Sequence, residues 1–371
     1  MIALLLSGLV LGAHEPVVST ATHALPAAGG TYAWRRGPAD PASAGVLAFA
    51  PDGVLLMADP TAAALWAFDT EEPAGDPSRV QFALERLDDH LAGLLGTTPD
   101  RVSVQDLAIH PLNGFAWLSV TRGEGEEARP ALVRVDDEGE LRLLDLSDVR
   151  HARAELPNAP AADGRATRRA QSITDLVFLG DRVVVAGLSN EEFASKLRSV
   201  PFPLGAVASG TSVEIYHGAH GAWETRAPVR TLVPVELDGE PHLVAAYTCT
   251  PLVRFPLSVL DGADGAKVRG TTVAELGGGN RPLDMITYER DGETWLLVAN
   301  SRHGLLKVST AGLGTDEGIT ELVERTAGLA FEPVEWLEGV VELDRVDDDY
   351  VVVLLRTVDS KRGTLLTVET P

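Results

Sequence analysis

Short apolar segments recur along the chain at intervals of about 45 to 55 residues. The clearest repeats begin with an aspartate and an apolar run, and these runs are Asp106–Ile109, Asp175–Phe178 and Asp284–Thr287. After a short turn comes a second, strongly apolar segment, as in Phe115–Val120, Val183–Leu188 and Trp295–Ala299. A third segment and a more polar fourth complete the unit. Four short antiparallel strands per repeat predict the blade of an all-β propeller.

Six such blades account for the chain, with seven as the alternative count. We assign them to residues 46–83, 104–146, 173–227, 230–276, 282–323 and 340–368. The last blade is one strand short at its outer edge. We expect the N-terminal segment Gly30–Arg36 to supply that strand, because a closed ring leaves no long unpaired edge.

Three stretches depart from the strand pattern. Five leucines recur at helical spacing before Gly96, namely Leu84, Leu87, Leu91, Leu94 and Leu95. They predict one short helix near 84–95, whose apolar stripe we expect to pack on the propeller; a partner-binding face is the alternative. Residues 147–172 and 189–211 read as long insertions, which we place on the upper face of the ring.

Composition narrows the range of partners. The chain has 371 residues, 36 glycines, 23 prolines and a formal net charge of −23, so nucleic acid and anionic membranes are poor partners. Residues 1–13 are apolar and end in small residues, which predicts an export signal and a periplasmic or secreted protein; an apolar strand or a misassigned start codon is the alternative. Residues 14–371 are then one domain without a membrane span, and we expect a monomer.

The unusual polar residues are expected at one end of the ring. Four alternating strands bring the loops between second and third strands to the same end as the connections between blades. The candidate ligand-binding residues there are Asn190, Glu191, Tyr247, Cys249, Arg281, Asn300, Arg302 and Arg356. The three arginines either bind a carboxylate or phosphate or neutralise nearby acidic groups.

The repeated aspartates allow two interpretations. Asp106, Asp175 and Asp284 begin inner strands, so they could hold one hard divalent cation, most suitably Ca²⁺. Alternatively, each accepts a backbone N–H from a neighbouring blade and joins the ring, which is the interpretation we favour.

Cysteine and histidine suggest a second kind of chemistry. Cys249 is the only cysteine, which excludes an intrachain disulfide. With His303 nearby it could bind a soft metal or act as a nucleophile, His303 being the base; an unreactive thiol is the alternative. His217 and His220 form a His-x-x-His that we assign to a hairpin turn on the opposite face.

Several phrases resemble a known group of proteins. Leu296–Asn300 followed by Gly304–Val308, Ile109–Pro111 and Phe49–Gly53 look like blades of NHL-type bacterial propellers and of the gluconolactonase and strictosidine-synthase group. NHL-type resemblance implies binding of proteins or peptides. Resemblance to the second group implies a hydrolase with a central divalent cation, for which Asp284, Asn300 and Asn190 would suit as ligands.

Three functions remain open from the sequence. The first is an exported module that binds a small molecule or protein at the mouth of the channel, with Phe193, Tyr247 and Arg302 exposed there. The second is a metal-dependent hydrolase of the lactonase or phosphoesterase kind, in which the aspartates and Asn300 hold the cation and His303 is the general base. The third is a docking subunit for a periplasmic redox protein, steered by acidic charge.

Overall fold

Six antiparallel sheets form the blades of a propeller in a computed structural model of the chain. The structure describes residues 34–162, 166–249, 251–262, 264–314, 317–356 and 362–371. The predicted export signal at 1–13 and most of the segment Gly30–Arg36 lie outside these residues. Blades are numbered here by the chain order of their inner strands.

The strands of blades 1 to 3 are given from the channel outward. Blade 1 contains β2 (Leu47–Phe49), β3 (Val54–Asp59), β4 (Ala64–Asp69), β10 (Val149–Glu155) and β1 (Arg35–Gly37). Blade 2 contains β6 (Val102–Ile109), β7 (Ala116–Arg122), β8 (Arg129–Val135) and β9 (Leu141–Leu143). Blade 3 contains β11 (Asp175–Leu179), β12 (Arg182–Leu188), β13 (Ser195–Pro201), β14 (Thr211–His217) and β15 (Ala222–Glu224), and β19 (Lys267–Arg269) pairs with β14.

Blades 4 to 6 follow the same pattern. Blade 4 contains β16 (Val229–Leu237), β17 (Glu240–Tyr247), β18 (Pro251–Pro256), β20 (Thr271–Glu275) and β24 (Ala327–Gly328). Blade 5 contains β21 (Pro282–Arg290), β22 (Glu293–Asn300), β23 (Gly304–Ser309) and β25 (Phe331–Pro333). Blade 6 contains β26 (Val340–Arg345), β27 (Tyr350–Leu355), β28 (Thr364–Glu369) and β5 (Ala83–Leu84). The prediction of a six-bladed all-β propeller is confirmed.

The blades do not follow one another around the ring in chain order. Contacts between inner strands run β2–β11–β16–β21–β26–β6 and back to β2, so blade 2 lies between blades 6 and 1. Six hydrophobic clusters agree with this order, because each lies at one junction between neighbouring blades. The buried apolar side chains therefore pack blade against blade, and no single core fills the centre.

Two blades are completed by strands from distant parts of the chain, which corrects the predicted closure. Ala83, expected in blade 1, and Leu84, expected in the helix, pair with Leu366 and Leu365 and form the outer strand of blade 6. Blade 1 is completed by β10, which pairs with β4, and Arg35–Gly37 pairs with β10 instead of closing the last blade. Both pairings use edges that exist only after the other three strands of the blade have assembled.

The predicted helix is present as α1, and a four-residue helix α2 (Ala166–Arg169) accompanies it among the described residues. Helix α1 (Leu87–Leu95) ends at Gly96, which adopts the left-handed conformation expected of a C-terminal stop. Leu87 and Leu91 are fully buried in the cluster between blades 2 and 6. The apolar stripe therefore packs on the propeller, as predicted.

The two long insertions contain strands that the sequence pattern did not reveal. Residues 147–172 include β10 and α2, and residues 189–211 include β13. As a result β14 is the fourth strand of blade 3, although its sequence had been assigned to the third. This shift by one strand moves the C-terminal end of β14 to the upper face, where second-to-third loops also lie.

Four buried or partly buried aspartates join neighbouring inner strands around the ring. Each accepts a backbone N–H of the next blade, in the pairs Asp175 with Leu232 (2.6 Å), Asp284 with Leu343 (2.8 Å), Asp344 with Ile109 (2.6 Å) and Asp106 with Leu47 (2.5 Å). The interpretation of Asp106, Asp175 and Asp284 as links between blades is confirmed. Asp344, which the sequence analysis did not single out, plays the same part in blade 6.

We expect Asp175→Ala to lower the free energy of unfolding by about 2 to 4 kcal/mol, because it leaves the N–H groups of Leu232 and Leu176 buried without an acceptor. Asp175→Asn retains one acceptor oxygen and should cost about half as much. Urea unfolding measures both, with the exposed Asp52→Ala as a control that should change stability little. An Asp175→Ala cost no larger than that of the control would contradict the link.

Candidate functional site

A large cavity lies along the axis of the ring. It has a volume of about 840 Å³ and is lined by the inner strands of all six blades. Successive side chains of a strand point to opposite faces, so side chains at alternate positions face the channel. A cavity of this size is in the range of small-molecule sites.

Three carboxylates meet in this channel. One oxygen each of Asp106, Asp284 and Glu342 lies within 4.8 Å of the others. Asp106 and Asp284 are two of the three predicted metal ligands, and Glu342 replaces the third. Asp175 lines the same cavity but is not a member of the trio. Side chains alternate between the two faces along β26, so Glu342 lies on the same face as Asp344. This alternation could have identified Glu342 from the sequence.

Burial and mutual repulsion disturb the ionisation of these groups. Burial is the largest cause of a raised pKa in all of them, and it brings the pKa of Asp284 to about 8 and that of Asp175 to about 7. Burial raises the pKa of Asp106 and Glu342 well above the usual range, and nearby carboxylates raise it further. The trio therefore binds protons near neutral pH unless another positive charge is present.

Arg230 brings positive charge to the wall of the same cavity, and Arg281 lies near Arg230. Arg230 lines the cavity, and attraction to Asp175 and Glu342 partly opposes the lowering of its pKa by burial and by Arg281. The Nε atom of Arg230 is buried and has no hydrogen-bond partner among the described residues. Arg281 is exposed beside it. Two guanidinium groups near a carboxylate cluster are suited to a ligand that carries an anionic group.

Other predicted mouth residues have structural partners. Tyr247 is fully buried, so the expectation that it is exposed at the mouth is wrong. The side-chain oxygen of Asn300 accepts the N–H groups of Arg302 and His303, and its amide donates to Asn280 at 2.9 Å. Asn300 therefore shapes its own loop and is not placed to hold a cation in the channel.

The remaining mouth residues divide into paired and exposed groups. Arg356 forms an ion pair with the buried Asp88 at 2.9 Å, and Glu191 pairs with the buried Lys196 at 2.8 Å. Asn190, Arg302 and His303 are exposed on the surface. Phe193 is half-buried and lies under the Lys267 ammonium, 3.9 Å from its ring centroid. The guanidinium of Arg302 donates to the carbonyl of Gly278 at 3.2 Å, so a ligand that binds it would share or replace this bond.

His303 is not placed as the predicted general base. It is absent from the described residues that line the channel, and burial together with Arg302 lowers its pKa. A base must come within hydrogen-bond reach of the reacting group. The hydrolase hypothesis would therefore need a carboxylate of the channel in this role.

The surroundings of Cys249 differ from the prediction. Its sulfur lies within 4.8 Å of ring nitrogens of His217 and His220, which the sequence analysis had put on the opposite face. The difference follows from the one-strand shift in blade 3. Because β14 is a fourth strand, His217 emerges on the upper face, beside the loop that carries Cys249.

No helix in the described part of the chain is both long and apolar enough to cross a bilayer.

No family model matches the sequence, and no curated protein matches it. Membership of the NHL-type or gluconolactonase group therefore stays a prediction.

Solved structures show only distant similarity. One chain in a mitotic checkpoint complex is 10% identical over 100% of this chain and 99% of its own, with a TM-score of 0.36. The aldose sugar dehydrogenase of Streptomyces coelicolor, solved with bound PQQ, is 11% identical over 90% of this chain and 96% of its own, with a TM-score of 0.30. Likeness at this level assigns neither a family nor a function, and the fold rests on the strand pairing described above.

We expect the stability of the chelator-treated protein to fall as pH rises from about 5 to about 8. The native carboxyls of Asp175 and Asp284 have pKa values of about 7 and about 8, whereas unfolded aspartates titrate near 4. The native state therefore binds more protons in this window, and this contribution to stability is lost as pH rises through the native pKa values. A loss of several kcal/mol is expected, since one pKa unit is worth about 1.4 kcal/mol and both pKa values lie well above those of unfolded aspartates.

Urea unfolding at several pH values tests this expectation, with Asp284→Asn as the comparison. The variant lacks one titrating group, so its stability should depend less steeply on pH than that of the wild type. If the free energy of unfolding of the wild type instead rises between pH 5 and pH 8, the native pKa values of the channel carboxyls are not raised.

Proposed function

We propose that the protein is a binding module whose central channel holds a hard divalent cation and, next to it, an anionic small molecule. The observation that carries this proposal is the convergence of Asp106, Asp284 and Glu342 on one point of the central cavity. The oxygen donors of these residues and the nearby arginines support it further.

The donor set fits a hard cation. Carboxylate oxygens are the ligands that Ca²⁺ and Mg²⁺ prefer, and Ca²⁺ accepts the irregular geometry and water ligands that three side chains would leave. Asp284 uses each oxygen for one backbone N–H, from Met285 and from Leu343, but a carboxylate has about four lone-pair positions and keeps room for a metal. A divalent ion would also remove the mutual repulsion that raises the pKa of these groups.

The adjacent positive groups favour an anionic ligand. Arg230 lies at the cavity wall, where Asp175 and Glu342 attract it. Arg281 is near enough to Arg230 to lower its pKa. A carboxylate or phosphate could contact the cation and one or both guanidinium groups together. The volume of about 840 Å³ is suited to a small molecule, and a protein partner would have to insert a side chain or terminus.

A metal-dependent hydrolase is the second candidate function. It is favoured by one specific observation, the pKa of about 7 that burial gives Asp175 at the wall of the same cavity. A carboxylate of that pKa is suited to general acid–base catalysis near neutral pH. Turnover of ester, lactone or phosphoester substrates that depends on Asp175 would move this candidate to the front.

We expect chelator-treated protein to bind about one equivalent of Ca²⁺ or Mg²⁺ in isothermal titration calorimetry. Asp284→Asn and Glu342→Gln each remove a charged ligand and should weaken binding by about tenfold or more. Asp344→Asn is the matched control, because Asp344 lines the same cavity and links blades but is outside the trio.

The outcomes separate clearly. Binding that survives in Asp344→Asn and is weakened in the two trio variants supports the site. Absence of binding of both ions to the wild type, or equal binding by all variants, would overturn it. Near-ultraviolet circular dichroism of each variant verifies that the propeller is folded.

A further inference from the structure

A second group of metal-ligating side chains lies on the upper face at the junction between blades 3 and 4. His217 ends β14, His220 follows it in a single turn of 3₁₀ helix, and Cys249 lies in the loop after β17. One nitrogen of each imidazole and the cysteine sulfur lie within 4.8 Å of one another. The backbone N–H of Cys249 donates to the carbonyl of Asn280 at 2.9 Å, which fixes the loop in place.

His217 points to a ligand because one of its buried ring nitrogens has no partner. Its side chain is 3% exposed, and its Nδ1 interacts with Oε1 of Glu224 at 3.2 Å. Its Nε2 is buried and has no hydrogen-bond partner among the described residues. Buried ring nitrogens are normally hydrogen-bonded, so the unpartnered nitrogen of His217 indicates that it binds a ligand.

Two glutamates surround the histidines. Oε1 of Glu224 lies 2.6 Å from Nδ1 of His220, and Oε1 of Glu275 accepts the N–H of Gly218 at 2.5 Å. Glu275 is fully buried, and its other oxygen has no hydrogen-bond partner among the described residues. A carboxylate on one ring nitrogen commonly orients a histidine so that the other nitrogen binds a metal.

We propose that His217, His220 and Cys249 bind a zinc-class cation at this junction, with Glu224 as the positioning residue for the histidines. Two imidazoles and one thiolate suit a borderline-soft ion and are poor ligands for Ca²⁺ or Mg²⁺. The fourth position is open to water.

The distances permit this assignment after a small movement. Zinc bonds of about 2.0 to 2.3 Å in a tetrahedron separate the ligand atoms by about 3.3 to 3.8 Å. The three atoms need to approach by about 1 Å from their present limit of 4.8 Å. His220 is half exposed and can make this movement, whereas His217 and the Cys249 backbone are held by β14 and Asn280.

The site would tie two blades together. His217, His220 and Glu224 belong to blade 3, whereas Cys249 and Glu275 belong to blade 4. A cation bound across this junction would stabilise the folded state by its binding free energy, since the unfolded chain does not bring these ligands together. This inference does not depend on the proposed function of the channel.

Cobalt provides the direct test, because Co²⁺ occupies zinc sites and gives a thiolate-to-metal charge-transfer band. We expect the full-length protein to bind about one equivalent of Co²⁺ with that band, and Zn²⁺ to displace it. Cys249→Ser should lose the band, and His220→Ala should bind Co²⁺ about tenfold or more weakly. Because His220 is half exposed, this variant should fold even if His217→Ala does not.

His90→Ala is the matched control, because His90 is an exposed histidine of α1 outside the cluster. It should bind Co²⁺ like the wild type. Zn²⁺ should raise the melting temperature of the wild type and not that of Cys249→Ser. Absence of Co²⁺ binding, binding without the charge-transfer band, or wild-type affinity in His220→Ala would each overturn the proposal.

Discussion

Inner strands of a propeller meet at an angle, so the backbone N–H groups that face a neighbouring blade cannot be paired within their own sheet. In this protein buried aspartates accept them. Asp175 links blade 3 to 4, Asp284 links 5 to 6, Asp344 links 6 to 2, and Asp106 links 2 to 1. All four point in the same direction around the ring. The width of the channel and the spacing of its side chains depend on these bonds.

The same bonds give the channel its chemistry. A carboxylate that satisfies a buried N–H must itself be buried, and this desolvation raises its pKa. Glu342 adds another acidic group between Asp106 and Asp284, so repulsion is added to desolvation. Because the backbone fixes these oxygens, they are preorganised for a cation. The structural links and the proposed cation site are thus parts of one arrangement.

The strand order of blade 3 explains the second proposed site. Because β13 is the third strand, β14 is the fourth and runs toward the upper face. It therefore carries His217 to the loop of Cys249. Hard oxygen donors lie in the channel and nitrogen and sulfur donors lie on the upper face, so the two sites should select different metals.

The sequence by itself determined the local units. The aspartate and apolar repeats predicted the blades and the links made by Asp106, Asp175 and Asp284, and the leucine spacing before Gly96 predicted α1. These features depend on neighbouring residues and on which face is buried, and periodicity records both. Glu342 was within reach of the same reasoning, since it alternates with Asp344 along β26.

Only the tertiary structure decided which blades are neighbours and which side chains meet. The two-residue strand β5 pairs with β28 from the far end of the chain, and no local pattern distinguishes it from a loop. Likewise, the contact of Cys249 with His217 depended on whether β14 was a third or a fourth strand. Such pairings are selected by edges that become available only when blades have formed, and a sequence pattern contains no record of those edges.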